Sequence, residues 1–481
     1  MSVQAARLPA STEAHFRERK WVPWLLVAGD IVALQLAVYL GYLARLLLAP
    51  LLPVRFELGD LQGLFLSMLL FPAGYYLAGL YPSYGMSPVE RLRRHSYVTL
   101  IGFAILLAWG DLFAQQDWPR GVILFALVFA LVLPLLGKLL LRKWLARRGC
   151  WGLPVVILGA ARTGRLVSQS LNRQRTLGFI PVAYLDDDPA KWGREVEGLP
   201  VLGPLSESRT LSRRVRVAVL AMPGTGHERL VQLIRRLTFS RLILVPDLFN
   251  LQSLWVSSID MSGILGLEIK RNLLQKHNRV LKRGIDYLLS VPVALVSLPL
   301  IAFFAVWIKL VSPGPAFYTQ AREGYKGKEI WIWKLRTMHL DAEERLQQPL
   351  AGDPAAEEAW RRFYKLKNDP RILPGVGRLL RKTSLDELPQ VLNVLRGEMS
   401  LVGPRPFPYY HLERFSPEFR EFRRSVMPGV TGLWQVSERS EGDLEVQETL
   451  DSYYVRNWSL WLDIYLLLRT VLAVLAAKGA Y

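Results

Sequence analysis

Cysteine and histidine are scarce in this chain of 481 residues, which contains one cysteine, Cys150, and six histidines. A single cysteine cannot form a disulfide within the chain, so nothing indicates an oxidising compartment. The same shortage excludes a zinc finger, and no repeat of the kind that stacks RNA bases occurs. We therefore expect no nucleic acid as a partner.

Acidic residues are also few, since 41 Asp and Glu stand against 60 Lys and Arg and leave a formal net charge of +19. A basic excess of this size favours attraction to anionic lipid, nucleic acid or phosphorylated substrates. Hydrophobic residues make up 51% of the chain, and tryptophan occurs 15 times. Among these partners, the composition favours a membrane.

Four apolar segments fill the first 150 residues, near 22–48, 62–81, 97–115 and 121–141. Each approaches the roughly 20 residues that cross a bilayer. Basic clusters precede the first segment and follow the second and fourth, which places all three clusters on the cytoplasmic side. They are Arg17, Arg19, Lys20, Arg91, Arg93, Arg94, Arg142, Lys143, Arg147 and Arg148. We predict four transmembrane helices in 1–150, and a buried four-helix bundle is the alternative.

Residues 151–270 have the pattern of a Rossmann-like α/β domain. The stretch "LPVVILGAARTGRLVSQSL" predicts a strand, a glycine turn and a helix, and "IPVAYLDDDP" predicts a second strand that ends in acids. Gly159 and Gly164 stand at the outer glycine positions, and Asp186 stands where a ribose-binding acid would lie. Ala161 replaces the middle glycine, and its methyl group obstructs a pyrophosphate. We therefore favour a structural or regulatory role over nucleotide binding.

A further apolar run, "GIDYLLSVPVALVSLPLIAFFAVWIKLV", lies within residues 271–311. It is long enough to cross a bilayer, but both flanks are basic and Pro292 and Pro299 interrupt it. We predict a re-entrant membrane helix that bends at Pro299 and returns to the cytoplasmic side, with a full crossing as the alternative. Three residues would then lie at the lipid headgroups, with the acid able to pair with the arginine: Lys282, Arg283 and Asp286.

Residues 312–481 are predicted to form an α-rich cytoplasmic catalytic domain. The last segment, "WSLWLDIYLLLRTVLAVLAAKGAY", alternates long apolar stretches with single charges. Such a helix is typical of the membrane interface rather than of a span.

Two adjacent acids, Asp386 and Glu387, occur in the segment "TSLDELPQ". Ser384 and Glu387 fit a capping box, so a helix start is the simplest interpretation. Cations gather around the acids in the sequence, at Arg378, Arg381, Arg405, Lys334 and Arg336. Basic residues around two carboxylates predict a polyphosphate site, because phosphoryl transfer depends mainly on positioning and charge neutralisation.

The order of motifs from about residue 278 onward resembles a known family. The stretches "KRGID", "WKLRTM", "NDPRILPGVGRLLRKTSLDELPQVLNVLRGEMSLVGPRP" and "PGVTGLWQV" are similar to those of the bacterial sugar transferases, the monotopic polyprenyl-phosphate phosphoglycosyl transferases. The upstream spans and Rossmann-like domain resemble the long subgroup, which includes undecaprenyl-phosphate galactose and glucose phosphotransferases.

This resemblance implies transfer of a hexose 1-phosphate from a UDP-sugar to undecaprenyl phosphate, with release of UMP and the start of a polysaccharide. It implies that Asp386 is the nucleophile. The helix start predicted at Ser384 would favour the ionised form of Asp386, because the positive end of the helix dipole lies there. Asp386 and Glu387 would bind Mg²⁺ together with substrate phosphates. Arg381 and Arg405 match phosphate- and nucleotide-contacting positions. The implied location is the bacterial inner membrane, with the catalytic domain on the cytoplasmic face.

Two other functions fit parts of the sequence. A membrane-anchored nucleotide-sugar dehydratase or epimerase would share the spans and the Rossmann-like unit, but it needs a Tyr-x-x-x-Lys pair, and no tyrosine here has a lysine four residues later. A non-catalytic membrane scaffold would leave the cluster around Asp386 without a purpose. The sequence does not distinguish a monomer from a homo-oligomer, and it does not identify the sugar.

Overall fold

The structure is a computed structural model that describes residues 19–53, 56–109, 119–245, 256–261, 264–269, 272–342, 344–346, 369–437 and 444–475. The chain divides into two compact units, Met1–Leu251 and Gln252–Tyr481. The first contains the N-terminal helices and a parallel sheet, and the second contains the candidate site.

The first unit begins with five helices: α1 (Val22–Leu47), α2 (Gln62–Ser67), α3 (Phe71–Leu77), α4 (Pro88–Trp109) and α5 (Arg120–Arg147). Among the described residues of this unit, only α1 and α5 are long and apolar enough to cross a membrane. The second predicted span is divided into the short helices α2 and α3 joined by a 3₁₀ turn. The third is contained in part in α4, whose first two turns carry charges; residues 110–115, like Arg17, lie outside the described residues. Four N-terminal crossings therefore stay a prediction.

A buried ion pair joins the two long apolar helices. Lys138 on α5 lies 2.7 Å from Asp30 on α1, and both side chains are almost fully buried. The Tyr81 hydroxyl also donates to Asp30. In apolar surroundings a charge is tolerated when an opposite charge and hydrogen bonds meet it. The sequence analysis missed this pair, whose signal was a single acid and a single lysine within apolar runs.

A four-stranded parallel sheet follows, in which the strands are ordered Phe179–Leu185, Leu153–Leu158, Val217–Leu220 and Arg241–Leu244. Its elements are β1 (Leu153–Leu158), α6 (Arg162–Arg173), β2 (Phe179–Leu185), the β3–β4 hairpin (Glu195–Val196 and Leu199–Pro200), α7 (Ser208–Leu211), β5 (Val217–Leu220), α8 (His227–Arg236) and β6 (Arg241–Leu244). The inner strands are buried on both faces, as their continuous apolar sequences require. The predicted parallel α/β arrangement is confirmed.

The glycine turn after β1 packs the chain closely. A Cβ on Gly164 would lie 1.9 Å from the carbonyl oxygen of Gly159, so glycine is required for α6 to approach β1. Asp186 accepts hydrogen bonds from the Ala160 amide at 2.7 Å and from Lys191 Nζ at 3.0 Å. Asp186, the acid at the ribose-binding position, thus stabilises the loops on either side of it, which supports a structural role for the Gly159–Gly164–Asp186 pattern.

The second unit contains a hairpin, β7 (Val256–Met261) with β8 (Ile264–Ile269), and then the 36-residue helix α9 (Lys276–Val311). The remainder of this unit comprises β9 (Phe317–Glu323), β10 (Glu329–Leu335), α10 (Val376–Thr383), α11 (Gln390–Arg396), β11 (Ser400–Val402), α12 (Tyr409–Leu412), α13 (Pro417–Arg424), β12 (Gly429–Thr431), α14 (Leu433–Ser437), α15 (Leu444–Asn457) and α16 (Leu460–Leu475). Strands β9 and β10 form an antiparallel hairpin, and β11 pairs with β12 in parallel.

Helix α9 buries one face from Lys282 to Ile308. Its buried residues recur every three or four positions: Lys282, Asp286, Ser290, Ala294, Ser297, Ile301, Phe304 and Ile308. The helix continues across Pro292 and Pro299, and Ser297 Oγ donates to the Ala294 carbonyl at 3.2 Å. A proline inside a helix allows a bend without ending the helix. The predicted re-entrant bend at Pro299 therefore stays a prediction.

Candidate active site

The two acids lie in a 3₁₀ turn, Leu385–Glu387, between α10 and α11. Ser384 has a left-handed backbone (φ 57°) because it ends α10, where its amide donates to the Arg381 carbonyl at 3.2 Å. Its side chain makes no capping hydrogen bond, so the predicted capping box is wrong. The sequence pattern marked the end of one helix rather than the start of the next.

Glu387 is bound by two cations. Its Oε1 accepts from Lys334 Nζ at 2.8 Å and from Arg405 Nη2 at 3.1 Å. Lys334 comes from β10 and Arg405 from the loop after β11, so the residue joins two separate parts of the domain. Burial alone would raise the pKa of Glu387, but Arg405 and Lys334 outweigh it and lower this pKa to about 2. Glu387 is therefore ionised and neutralised on site.

Asp386 has the opposite character. It accepts no side-chain hydrogen bond from the described residues, and burial together with the Glu387 charge raises its pKa to about 6, against the attraction of Lys334 and Arg381. The sequence analysis expected a helix dipole to favour its charge; instead α11 begins only at Gln390, and the pKa is raised. At neutral pH the carboxylate is still mostly ionised. An ionised carboxylate without an ion-pair partner is an available nucleophile.

Arg381 faces Asp386 without pairing with it. Asp386 acts electrostatically on Arg381, yet no ion pair within 4.0 Å joins the two among the described residues. Arg381 Nε donates instead to Thr337 Oγ1 at 3.1 Å. Lys334, Arg381 and Arg405, which the sequence predicted to surround the acids, thus lie close to them in the structure.

Two of the predicted cations do not join this cluster. Arg336 turns away from the acids and donates to the carbonyls of Ser312 at 2.8 Å and Pro313 at 3.0 Å, at the end of α9. It is buried there, so its contacts hold the end of α9 and are not directed to the acids. Arg378 lies on the exposed side of α10 and makes no ion pair or hydrogen bond with the acids among the residues described. Its predicted role as a substrate-binding residue has no support in the geometry.

The three residues predicted to lie at the lipid headgroups are instead engaged by protein. Lys282 forms a buried ion pair with Asp463 of α16 at 2.6 Å. Arg283 donates to the carbonyls of Val394 at 2.6 Å and Met399 at 2.8 Å. Both cations are therefore engaged by protein, because α9 packs against the rest of its unit at this level, and their placement at the lipid headgroups stays a prediction.

Asp286 accepts from the Ser400 hydroxyl and from the Leu401 amide, both at 3.0 Å. Its predicted partner Arg283 lies 3.9 Å away, a weaker contact. Asp286 therefore ties α9 to β11, the strand that leads to Arg405.

Two site residues were missed by the sequence analysis. Thr337 binds Arg381, as described above. Asn393, which is fully buried, donates to the Trp331 carbonyl at 2.8 Å and accepts from the Trp333 amide at 3.2 Å, and it thereby holds α11 beside the strand that carries Lys334. Their only signal was their presence inside the quoted motifs.

The acids fit a magnesium ion by the chemistry of their oxygens. No group of three or more His, Cys, Asp or Glu side chains that could hold a metal occurs in the described part of the chain. Magnesium, however, is commonly bound by one or two carboxylates plus substrate phosphates. Both cations bind Oε1 of Glu387, and the Asp386 carboxylate has no side-chain hydrogen bond among these residues. Oxygens of both acids thus remain as donors.

Comparisons with known proteins connect this geometry to a family. The family described as "Bacterial sugar transferase" matches residues 277–477, and the one described as "CoA-binding domain" matches residues 79–245. An undecaprenyl-phosphate galactose phosphotransferase of Salmonella typhimurium (strain LT2) is 36% identical over 390 residues, which cover 80% of this chain and 81% of that protein.

Further relatives match different lengths of the chain. A UDP-glucose:undecaprenyl-phosphate glucose-1-phosphate transferase of Escherichia coli K12 is 33% identical over 347 residues, which cover 70% of this chain and 71% of the relative. The exopolysaccharide production protein ExoY of Sinorhizobium fredii is 40% identical over 200 residues, which cover 42% of this chain and 88% of the relative.

Solved structures match more weakly. A UDP-D-quinovosamine 4-dehydrogenase from Vibrio fischeri gives a TM-score of 0.19 at 22% identity, covering 21% of this chain and 83% of that one. The structure of the protein RSP in complex with β-NADH gives a TM-score of 0.20 at 15% identity. This match covers 33% of this chain and 82% of that one. A likeness at this level carries no argument about fold or function.

Proposed function

We propose, from the premise that this chain belongs to the bacterial sugar transferase family, that it transfers a hexose 1-phosphate from a UDP-sugar to undecaprenyl phosphate and so initiates a polysaccharide such as O-antigen, capsule or exopolysaccharide. Its relatives are named as undecaprenyl-phosphate galactose and glucose phosphotransferases, so UDP-galactose and UDP-glucose are the proposed donors.

The observation that carries this proposal is the difference between the two adjacent acids. Glu387 is neutralised by Lys334 and Arg405, whereas Asp386 beside it has no ion-pair partner within 4.0 Å among the described residues. A purely structural pair of acids would be expected to share the available cations. The arrangement leaves one carboxylate for chemistry.

The proposed reaction has two steps on this carboxylate. An Asp386 oxygen attacks the sugar-bearing phosphorus of the UDP-sugar; a carboxylate–phosphorus bond forms, the phosphoanhydride bond breaks, and UMP leaves with its electron pair. A phosphate oxygen of undecaprenyl phosphate then attacks the same phosphorus, which releases Asp386 and gives a lipid diphosphate sugar. Arg381, Lys334 and Arg405 orient the phosphates and offset their charge.

Magnesium would be held by Asp386 and Glu387 together with the substrate phosphates. When bound, it would supply neutralisation of phosphate charge.

The contacts of α9 support the re-entrant path and the cytoplasmic location. Near its start, Arg283 is bound to the carbonyls of Val394 and Met399, and at its end Arg336 is bound to the carbonyls of Ser312 and Pro313. Both ends are thus fastened to the same unit. A straight crossing of about 30 Å of hydrocarbon would separate them by a membrane. We therefore propose a monotopic catalytic domain on the cytoplasmic face of the bacterial inner membrane.

Mass spectrometry tests the proposed nucleophile. Wild-type protein incubated with UDP-sugar and no lipid acceptor should carry a sugar-phosphate adduct on Asp386 and release UMP. Asp386→Asn should remain folded and membrane-bound but form no adduct, because an amide is not a phosphoryl acceptor. An adduct on another residue, or UMP release by Asp386→Asn at the wild-type rate, would overturn the assignment.

A further inference from the structure

Arg381 is held in an unusual way for a cation beside carboxylates. Lys334 and Arg405 both form ion pairs with Glu387. Arg381 instead donates from Nε to the neutral hydroxyl of Thr337 at 3.1 Å. A neutral partner leaves the charge of the guanidinium available to a substrate anion, whereas an acid would neutralise it.

Thr337 is itself fixed by backbone contacts. It lies two residues after the end of β10 and is 8% exposed, and its carbonyl accepts from the Leu373 amide at 2.9 Å. A Cβ on Gly377 would lie 2.6 Å from this same carbonyl, so the first turn of α10 rests against Thr337. The hydroxyl therefore has a set position relative to the helix that carries Arg381.

A second carboxylate in the neighbourhood is already occupied. Asp369 acts electrostatically on Arg381, but its oxygens accept from Arg371 at 2.6 Å and 2.8 Å. Asp386 is then the acid with which Arg381 could form an ion pair if the hydrogen bond to Thr337 were lost. The Arg381 guanidinium donates to Thr337 and makes no ion pair with Asp386 within 4.0 Å among the described residues.

We propose that Thr337 is a positioning residue, whose hydroxyl holds the Arg381 guanidinium toward the sugar-bearing phosphate of the donor and away from a direct ion pair with Asp386. This inference rests on the proposed transferase function and adds a residue to its substrate site. Thr337 touches no reacting atom and acts through Arg381.

Replacing the hydroxyl tests this role. Thr337→Val keeps the shape of the side chain but removes the acceptor, and we expect the limiting rate of adduct formation at saturating UDP-sugar to fall about tenfold, as for loss of one hydrogen bond to a charged group. Thr337→Ser keeps the hydroxyl and should retain the wild-type rate. Thr319→Val, which replaces an exposed threonine on β9, is the matched control. If Thr337→Val does not fold, Thr337→Ala serves the same comparison.

A double-mutant cycle separates positioning from a general structural role. In an Arg381→Lys background, which lacks the Nε donor, Thr337→Val should cost no further activity, because the interaction is already lost. Equal losses in both backgrounds, a wild-type rate for Thr337→Val, or equal impairment by serine and valine would each overturn the inference. Absence of any adduct in the wild-type protein with every UDP-sugar would instead overturn the proposed function.

Discussion

Asp386 and Glu387 are neighbours in the chain, yet their pKa values shift in opposite directions. The pKa of Asp386 is raised to about 6 by burial and by the charge of Glu387. The proposed nucleophile is the ionised form of Asp386, and the fraction of this form rises as the pH rises through 6 and falls about tenfold per pH unit below it. We expect the rate of adduct formation, measured by mass spectrometry in single turnover, to have an acid limb near pH 6.

Glu387→Gln provides the control for that limb. The substitution removes the negative charge that raises the pKa of Asp386 and leaves Lys334 and Arg405 unneutralised, and both changes favour ionised Asp386. The variant should be severely impaired overall, yet the acid limb of its residual activity should move to lower pH. A limb that stays in place or moves upward would contradict the assigned electrostatics.

At the residue scale, the sequence indicated which residues gather near the acids better than it indicated which partners their side chains contact. The acids, Lys334, Arg381 and Arg405 could be found because their types and motifs indicate phosphate chemistry. The sequence could not show that Arg336 lies away from the acids, because Arg336 is two positions after Lys334 and would share its face of the strand. The strand ends at Leu335, however, so the next residue is free to turn toward the end of α9. Only the three-dimensional end of a strand decides this.

At the scale of the element, the proposed re-entrant path of α9 would place the site on the cytoplasmic side of the membrane. The sequence predicted its length and prolines, but not the polar contacts of Lys282, Arg283 and Asp286, because these partners lie more than 100 residues away. Such long-range pairs leave no local pattern. Likewise the predicted four spans depended on length and hydropathy alone, which do not show where a helix is interrupted.

A cysteine-labelling experiment tests the path of α9. Lys276 is the exposed first residue of α9, and Pro315 is exposed beyond the end of the helix. Lys276→Cys and Pro315→Cys can be introduced singly in a Cys150→Ser background. A membrane-impermeant thiol reagent should label neither position in intact cells and both in inverted vesicles, because a re-entrant helix keeps both ends inside. Labelling of position 315 alone from outside would mean a true crossing.

At the scale of the whole molecule, every assigned site residue lies in the second compact unit, Gln252–Tyr481. The relative from Sinorhizobium fredii consists almost entirely of the matching 200 residues. We therefore expect a chain that starts at Gln252 to fold in detergent and to release UMP from the donor that the full chain uses. A fragment that is folded by circular dichroism but inactive with that donor would show that the first unit is needed for chemistry.

The cations around the two acids also set an electrical condition for the proposed reaction. Ionised Asp386 carries one negative charge, and so does the phosphodiester that its sugar-phosphate adduct contains. Lys334, Arg405 and Arg381 would thus face the same total charge before the first transfer and between the two transfers. Neither half of the cycle would require the cluster to rearrange or exchange a proton, and the lipid phosphate would meet the same electrostatic field as the nucleotide sugar before it.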